Sequence, residues 1–416
     1  MTQEKPSKNI PSILIGILCI AIAVRLACFF YYQAHAGIET FEYETVAENL
    51  LYGNGFQMEI HHTIQKAPIA PVFPALCAFI YMLFGHYHPL IIFLQILMNA
   101  AVCYMIFLLT KRFFGLQQAY LAALLTALHP GLIIYSATKL HSLSFYSFLI
   151  CSAVYLFTDL LSATNTKKKI ILGIITGVCV LERATFLPFF VLAWIWLYYN
   201  SPKKKEAAKT ILISLISLII IVSPWMIRNT LIFKRCVFIQ TNQWWGFWAG
   251  NNPQSSGTLY MPSGINAIEA SPREFQEKLM RLDEIGQMDL FKSASLAFVR
   301  QHPGQFMLLT VKKFFYFWWF SPQAGILYPA LYLTWYKIYY SFILIFALIG
   351  LLQSVWKKES RSITILILLL FISNSLVHSL YYLEGRHRWS LEPLLLIFFA
   401  HGCITLLHKC KTALFT

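Results

Sequence analysis

The sequence predicts an all-α polytopic membrane protein, a single-domain bundle of about 10–12 transmembrane helices spanning residues 1–416. Three observations predict it. Apolar residues make up 58% of the chain and charged ones only 12%, too few charges to cover a soluble surface. Apolar runs begin near Ser12, Pro68, Pro89, Leu116, Leu143, Ile170, Leu187, Thr210, Phe306, Pro329, Ser362 and Trp389. In hydrocarbon only helices satisfy such backbone internally. The formal charge of +15 collects in short loops between these runs, the pattern that orients a membrane protein and not a nucleic-acid footprint. Membrane lipids are therefore expected partners and nucleic acid is not.

The first run, Ser12 to Tyr32, is too long for a signal-peptide core and ends without a small-residue cleavage site, so it reads as a retained helix. A polar excursion, residues 33–67, follows. Within its "IETFEYETVAENLLYGNGF", helical spacing puts Glu39, Glu42 and Tyr43 on one face. Gly53 and Gly55 end that helix, and Glu44 and Glu48 are expected in water.

The Pro68–Gly85 run opens with three prolines. If it crosses, the basic clusters at Lys111, Lys167–Lys169 and Lys203–Lys205 land outside. If it re-enters, all three fall inside, as the excess of positive charge on cytoplasmic loops requires. Lys312 and Lys313 interrupt the Phe306–Phe320 run, which suggests a second non-crossing piece and favours ten spans over twelve.

The second excursion, residues 229–305, begins where the span in "SPWMIRNTLIF" is expected to end. Its "QTNQWWGFWAGNN" mixes aromatic faces and amides suited to carbohydrate. Further on, Ser271 as N-cap and Pro272 at the first helical position open one helix with Phe275, Leu279, Leu282 and Ile285 at helical spacing, ending near Pro303. A third polar patch, "EGRHRWSLEP", precedes the last run. Both long loops, each carrying interfacial helices, and this patch share the outer face. The nine cysteines lack metal-ligand spacing and read as core fillers.

Taken in order, "AENLLYGNGF", "KAPIAPVFP", "PWMIRN", "GNNPQSSG" and "GRHRWSLEP" resemble the integral membrane glycosyltransferases that use polyprenyl-phosphate-linked sugars, the C-type fold of protein mannosyltransferases and lipid A aminoarabinose transferases. The resemblance implies that Glu39, four residues before Tyr43, is the catalytic base and Glu42 the following acid. It assigns donor-phosphate binding to Lys66, Arg183, Arg228, Arg386 and Arg388, since a leaving polyprenyl phosphate needs fixed cations and arginine's fork suits its oxygens. Tyr43, His141, Asn229, Trp245 and Asn251 are candidate contacts to sugar or acceptor.

The chain departs from the family at "YSATKLHSLSF", where Lys139, His141 and Ser142 stand in place of a second acid. No metal or other cofactor is therefore assigned, although His61, His62 and His141 are possible ligands for a divalent ion. Glutamate for aspartate at residue 39 reaches one methylene further, which leaves Glu42 as an alternative base. The expected function is inverting transfer of a sugar from a polyprenyl-phosphate donor to a glycolipid, glycan or protein. The expected setting is a bacterial inner membrane with the site facing the periplasm or exterior. A non-catalytic binder or translocator of lipid-linked sugar is the alternative. A nucleotide-sugar enzyme is disfavoured because no phosphate-cradling glycine loop occurs.

Overall fold

A computed structural model describes residues 11–161, 165–261 and 263–415. Each apolar run becomes a helix or a bent pair of helices. The first half comprises α1 (Ser12–His35), α2 (Glu42–Leu51), α3 (Val72–Phe84), α4 (His88–Phe114), α5 (Leu116–Ala127), α6 (Pro130–Thr138), α7 (Leu143–Asp159), α8 (Thr166–Glu182), α9 (Leu187–Asn200) and α10 (Lys204–Phe233). A small antiparallel hairpin, β1 (Met58–Ile60) with β2 (Thr63–Gln65), follows α2. The second half comprises α11 (Gln243–Ala249), α12 (Arg273–Met280), α13 (Glu284–Gln301), α14 (Pro303–Trp318), α15 (Ala324–Leu327), α16 (Ala330–Trp356), α17 (Lys358–Leu380), α18 (Arg386–Trp389) and α19 (Glu392–Phe415).

Among the described residues six helices, α1, α4, α10, α16, α17 and α19, are long and apolar enough to cross a membrane, and the α5–α6 pair, bent by 46°, makes up to seven. By length and composition the expected ten to twelve spans are not reached; α3, α7 and α9 are apolar but shorter. Several of these stop short where the chain turns into a polar cavity.

The bundle has two chemically different ends. At one, Arg112 pairs with Asp159 at 3.7 Å, Lys168 with the same carboxylate at 2.6 Å, and Lys169 with Glu206 at 2.7 Å. Ser362 donates to Asn200 there at 2.9 Å. At the other end the two long loops and the late patch are stitched by backbone bonds. Glu39 N–H donates to Thr138 O at 2.9 Å, Thr241 N–H to Ala67 O at 2.8 Å, and Leu383 N–H to Gly257 O at 3.0 Å.

Both ends of α3 lie at this second end. Phe73 N–H, in its first turn, donates to Glu182 at 3.0 Å, while His86, just past its last turn, sits 2.9 Å from Glu44 of α2. At 13 residues, α3 is about 20 Å long, short of the ~30 Å of hydrocarbon. α14 behaves alike: Gln305 reaches Pro253 O at 3.3 Å, and Phe317 stacks on His378 with ring centroids 5.7 Å apart. The largest helix–helix contact, α16 on α19, closes over glycine. A Cβ on Gly350 would meet Phe398 O at 1.9 Å and one on Gly402 would meet Phe346 O at 2.3 Å, so only glycine admits this approach.

Three local expectations are corrected. α10 does not stop at Asn229, where the second loop was expected to begin, but runs through Pro224 to Phe233, where Lys234 closes it with φ of 52°. The single helix expected after Ser271 is two, because Asp283 Oδ1 accepts from Gly286 N–H at 2.8 Å and starts α13 afresh, while Ser271 Oγ turns to Ile268 O instead of capping. Glu44 is not in water: it is 8% exposed, drawn inward by His86 and His88.

Candidate active site

A cavity of about 610 Å³ opens where the loops meet. Glu39, Glu42 and Tyr43 line it from the first loop, Lys139 and His141 from the α6–α7 turn, and Arg183 from the end of α8. Trp245 enters from the second loop, and Glu384, Arg386 and His387 from the late patch.

Glu39 is fixed through its backbone, which bridges Thr138 O and Leu140 N–H at 2.9 Å each. That bridge sets its side chain beside Lys139, and the Lys139 ammonium pairs with Glu39 Oε2. Lys139 is itself seated over the Tyr135 and Phe41 rings, 5.3 and 5.6 Å from their centroids. Glu42 opens α2, and among the described residues nothing pairs with its carboxylate. Tyr43, one residue on, is buried with its ring edge-on to Phe73 and His141.

The histidines here are neutral. Burial pushes His141 well below the ordinary histidine range, and Arg386, Arg183 and Lys139 add to it. Its Nδ1 accepts from Leu143 N–H at 3.0 Å, so its proton sits on Nε2. His387 is likewise held well below that range by burial, then by His378 and the two arginines, and it stacks on His378 at 4.7 Å.

The two arginines differ in their engagements. Arg386 Nε lies 2.7 Å from Glu384. Burial opposes its charge, and Glu384 first, then Tyr135, Tyr382 and Tyr43, more than restore it, holding the guanidinium well above its ordinary value. Arg183 follows the last turn of α8 and lies over the Tyr146 ring at 4.5 Å. Among the described residues it has no carboxylate partner. Glu182, its neighbour, turns instead to Phe73 N–H.

Five residues expected at the site lie outside the cavity. Arg228 donates to Lys66 O at 2.8 Å, Asn229 Oδ1 at 2.9 Å and Phe56 O at 3.2 Å, and lies over Trp225 at 4.5 Å. Its fork is thus taken by the backbone. Lys66 has an exposed side chain, and its N–H donates to Glu284 at 2.5 Å. Arg388 is buried against Glu392 at 2.6 Å, Phe317 O at 2.9 Å and the Tyr340 ring at 3.8 Å. Asn229 ties Val237 O and Ile239 O, and Asn251 ties Phe247 O and Leu380 O. All five brace the loops. Conversely Lys139, Glu384, His387 and His378 line the cavity without having been singled out as site residues. Only Lys139 carried a signal, as a cation where an acid was expected. Lys139 pairs with the Glu39 carboxylate where a second acid was expected, and Leu143 N–H takes His141 Nδ1.

Residues 66–227 match the family described as dolichyl-phosphate-mannose-protein mannosyltransferase. Among solved structures, the chain is similar to the archaeal oligosaccharyltransferase AglB from Archaeoglobus fulgidus in complex with an inhibitory peptide and a dolichol-phosphate. The identity is 15% and the TM-score 0.59, over 97% of this chain and 51% of that one. It is also similar to the Archaeoglobus fulgidus oligosaccharyltransferase tethered to an acceptor peptide containing the NVT sequon, at 16% identity and TM-score 0.58, over 96% and 49%. ArnT from Cupriavidus metallidurans bound to undecaprenyl phosphate matches at 11% identity and TM-score 0.45, over 91% and 78%. The chain spans about half the length of the oligosaccharyltransferases it matches. No curated protein matches it. The family match and the shared helical architecture make this chain a multi-pass membrane protein of the C-type glycosyltransferase fold.

Proposed function

We propose that the chain transfers a sugar from a polyprenyl-phosphate-linked donor to a hydroxyl or amide acceptor on a glycolipid, glycan or protein, with inversion at the anomeric carbon. The observation that carries this reading is one cavity that gathers the Glu39 and Glu42 carboxylates with the Arg183 and Arg386 guanidinium groups. Glu39 is the general base. Lys139 holds Oε2, leaving Oε1 to take the proton of the acceptor as its heteroatom attacks the anomeric carbon from the face opposite the phosphate. The bond from that carbon to the phosphate oxygen breaks, and the leaving polyprenyl phosphate carries the charge. Arg183 and Arg386 receive it; Arg183, with no carboxylate partner, is the more available.

Glu42 orients the acceptor, and Tyr43 with Trp245 offers aromatic faces to the sugar. Lys66, Arg228, Arg388, Asn229 and Asn251 act as scaffold. The cavity end faces the periplasm of a bacterial inner membrane and the lysine-rich end the cytoplasm, as the excess of basic residues directs.

The test is transfer by the purified chain from a series of polyprenyl-phosphate sugars, with the product anomer read by NMR. Product of inverted configuration is expected. Tight donor binding without transfer to any acceptor class would favour the reading as a binder or translocator of lipid-linked sugar.

A further inference from the structure

Away from the cavity, α2 and the α3–α4 turn converge on a second group of donors. Glu44 and Glu48 stand four residues apart on α2, hence on one face. His86 lies in the short link after α3 and His88 opens α4, and both rings turn toward Glu44. His86 Nε2 lies 2.9 Å from Glu44 Oε1, and His88 Nε2 contacts the same oxygen. Glu48 Oε1 is 3.4 Å from His86 Nε2. The two imidazoles stand at 73° with centroids 4.9 Å apart, and Tyr81 packs edge-on against His86 at 4.5 Å. The donor atoms of Glu44, His86 and His88 all lie within 4.8 Å of one another.

We propose that Glu44, His86 and His88 form a divalent metal-ion site of the zinc class, with Glu48 or water as fourth ligand. Two Nε2 atoms and a carboxylate oxygen form a borderline-soft donor set that suits zinc better than magnesium or calcium. Bonds of about 2.0–2.1 Å place tetrahedral ligands about 3.3–3.4 Å apart, so small side-chain shifts open the present spacing to admit the ion. Charge supports the assignment: among the described residues the buried Glu44 carboxylate faces two imidazoles and no lysine or arginine, and a divalent ion neutralises it together with Glu48.

The site is separate from the cavity, which none of the four residues lines. Its role is positional. The ion clamps α2, whose first turn carries Glu42 and Tyr43, to the start of α4, and so fixes the height of the first loop.

The test uses the full-length, tag-free chain in detergent, stripped with EDTA, given Zn²⁺ or Co²⁺ and desalted. Wild type should retain a single zinc ion by mass spectrometry and show the visible ligand-field bands of tetrahedral Co²⁺. Glu44→Gln and His88→Ala should lose both signals, while His61→Ala with His62→Ala should change neither. His88→Cys should keep the metal and add a thiolate-to-cobalt band, which decides the matter even where an alanine variant folds poorly. The proposal is overturned if stripped wild type takes up no metal, if Glu44→Gln or His88→Ala binds as much as wild type, or if His88→Cys shows no thiolate band.

Discussion

The two ends of the bundle carry similar cations to opposite purposes. At the lysine-rich end, Lys168 and Arg112 share Asp159 at helix ends with their heads partly in water, and such pairs do little beyond setting orientation. At the cavity end Arg388 is buried and Arg183, Arg228 and Arg386 are half-buried, and withdrawing an unpartnered charge from water is costly. There the arginines divide by what satisfies them. Arg228 and Arg388 spend their donors on Lys66 O, Phe56 O and Phe317 O or on Glu392. Among the described residues Arg183 has an aromatic face and no carboxylate partner, Arg386 has Glu384, and both line the cavity. What an arginine here can bind depends on the carbonyls within its reach as well as on the motif that contains it.

Substitutions should separate these groups. The largest stability loss is expected for Arg388→Ala, which strips the buried Glu392 of a principal partner and should cost about 3–5 kcal/mol, read as a fall in detergent-solubilised melting temperature. A wild-type melting curve would place Arg388 outside the scaffold. Arg183→Ala should fold normally and lower donor kcat/KM by about 10- to 100-fold, the worth of a charged hydrogen bond. Arg183→Lys should fall between, since the planar fork is lost while the charge remains. Equal activity of all three proteins would remove Arg183 from donor binding. Arg112→Ala and Lys168→Ala should shift stability by less than about 1 kcal/mol; a larger shift would erase the contrast between the ends.

The native cysteines sharpen the same comparison without substitution. Cys236 is exposed at the cavity end and Cys410 at the other. An impermeant maleimide should label Cys236 in osmotically opened cells and Cys410 only after the inner membrane is breached. The reverse order would invert the proposed orientation.

Much of the fold was legible because hydropathy and proline carry it. Every apolar run found its helix, and the prolines before Ala75 together with the parity of basic loops pointed to a piece that returns to its own side, as α3 does. Where helices break was harder, since Asp283 restarts α13 through a local cap that competes with a continuous apolar period. At the site, motif order drew attention to Glu39, Glu42, Arg183 and Arg386, and the cavity gathers these four. The sequence could not show that Lys139 reaches Glu39 across 100 positions, or that Glu44 turns inward to meet His86 and His88, because both depend on which loops fold against each other. The fates of Arg228 and Arg388 were hidden for the same reason.

The central claim is that a first-loop carboxylate takes the acceptor's proton. It is tested most directly by single-turnover transfer from a purified polyprenyl-phosphate sugar, with donor binding measured on the same samples of wild type, Glu39→Gln and Glu42→Gln. The account predicts a loss of ~10²–10⁴ in transfer rate for Glu39→Gln at nearly unchanged donor affinity, and a smaller loss for Glu42→Gln. Wild-type transfer by Glu39→Gln would contradict it; if Glu42→Gln were then inactive, the base would lie three residues along, and if both were active, carboxylate catalysis in this loop would be refuted.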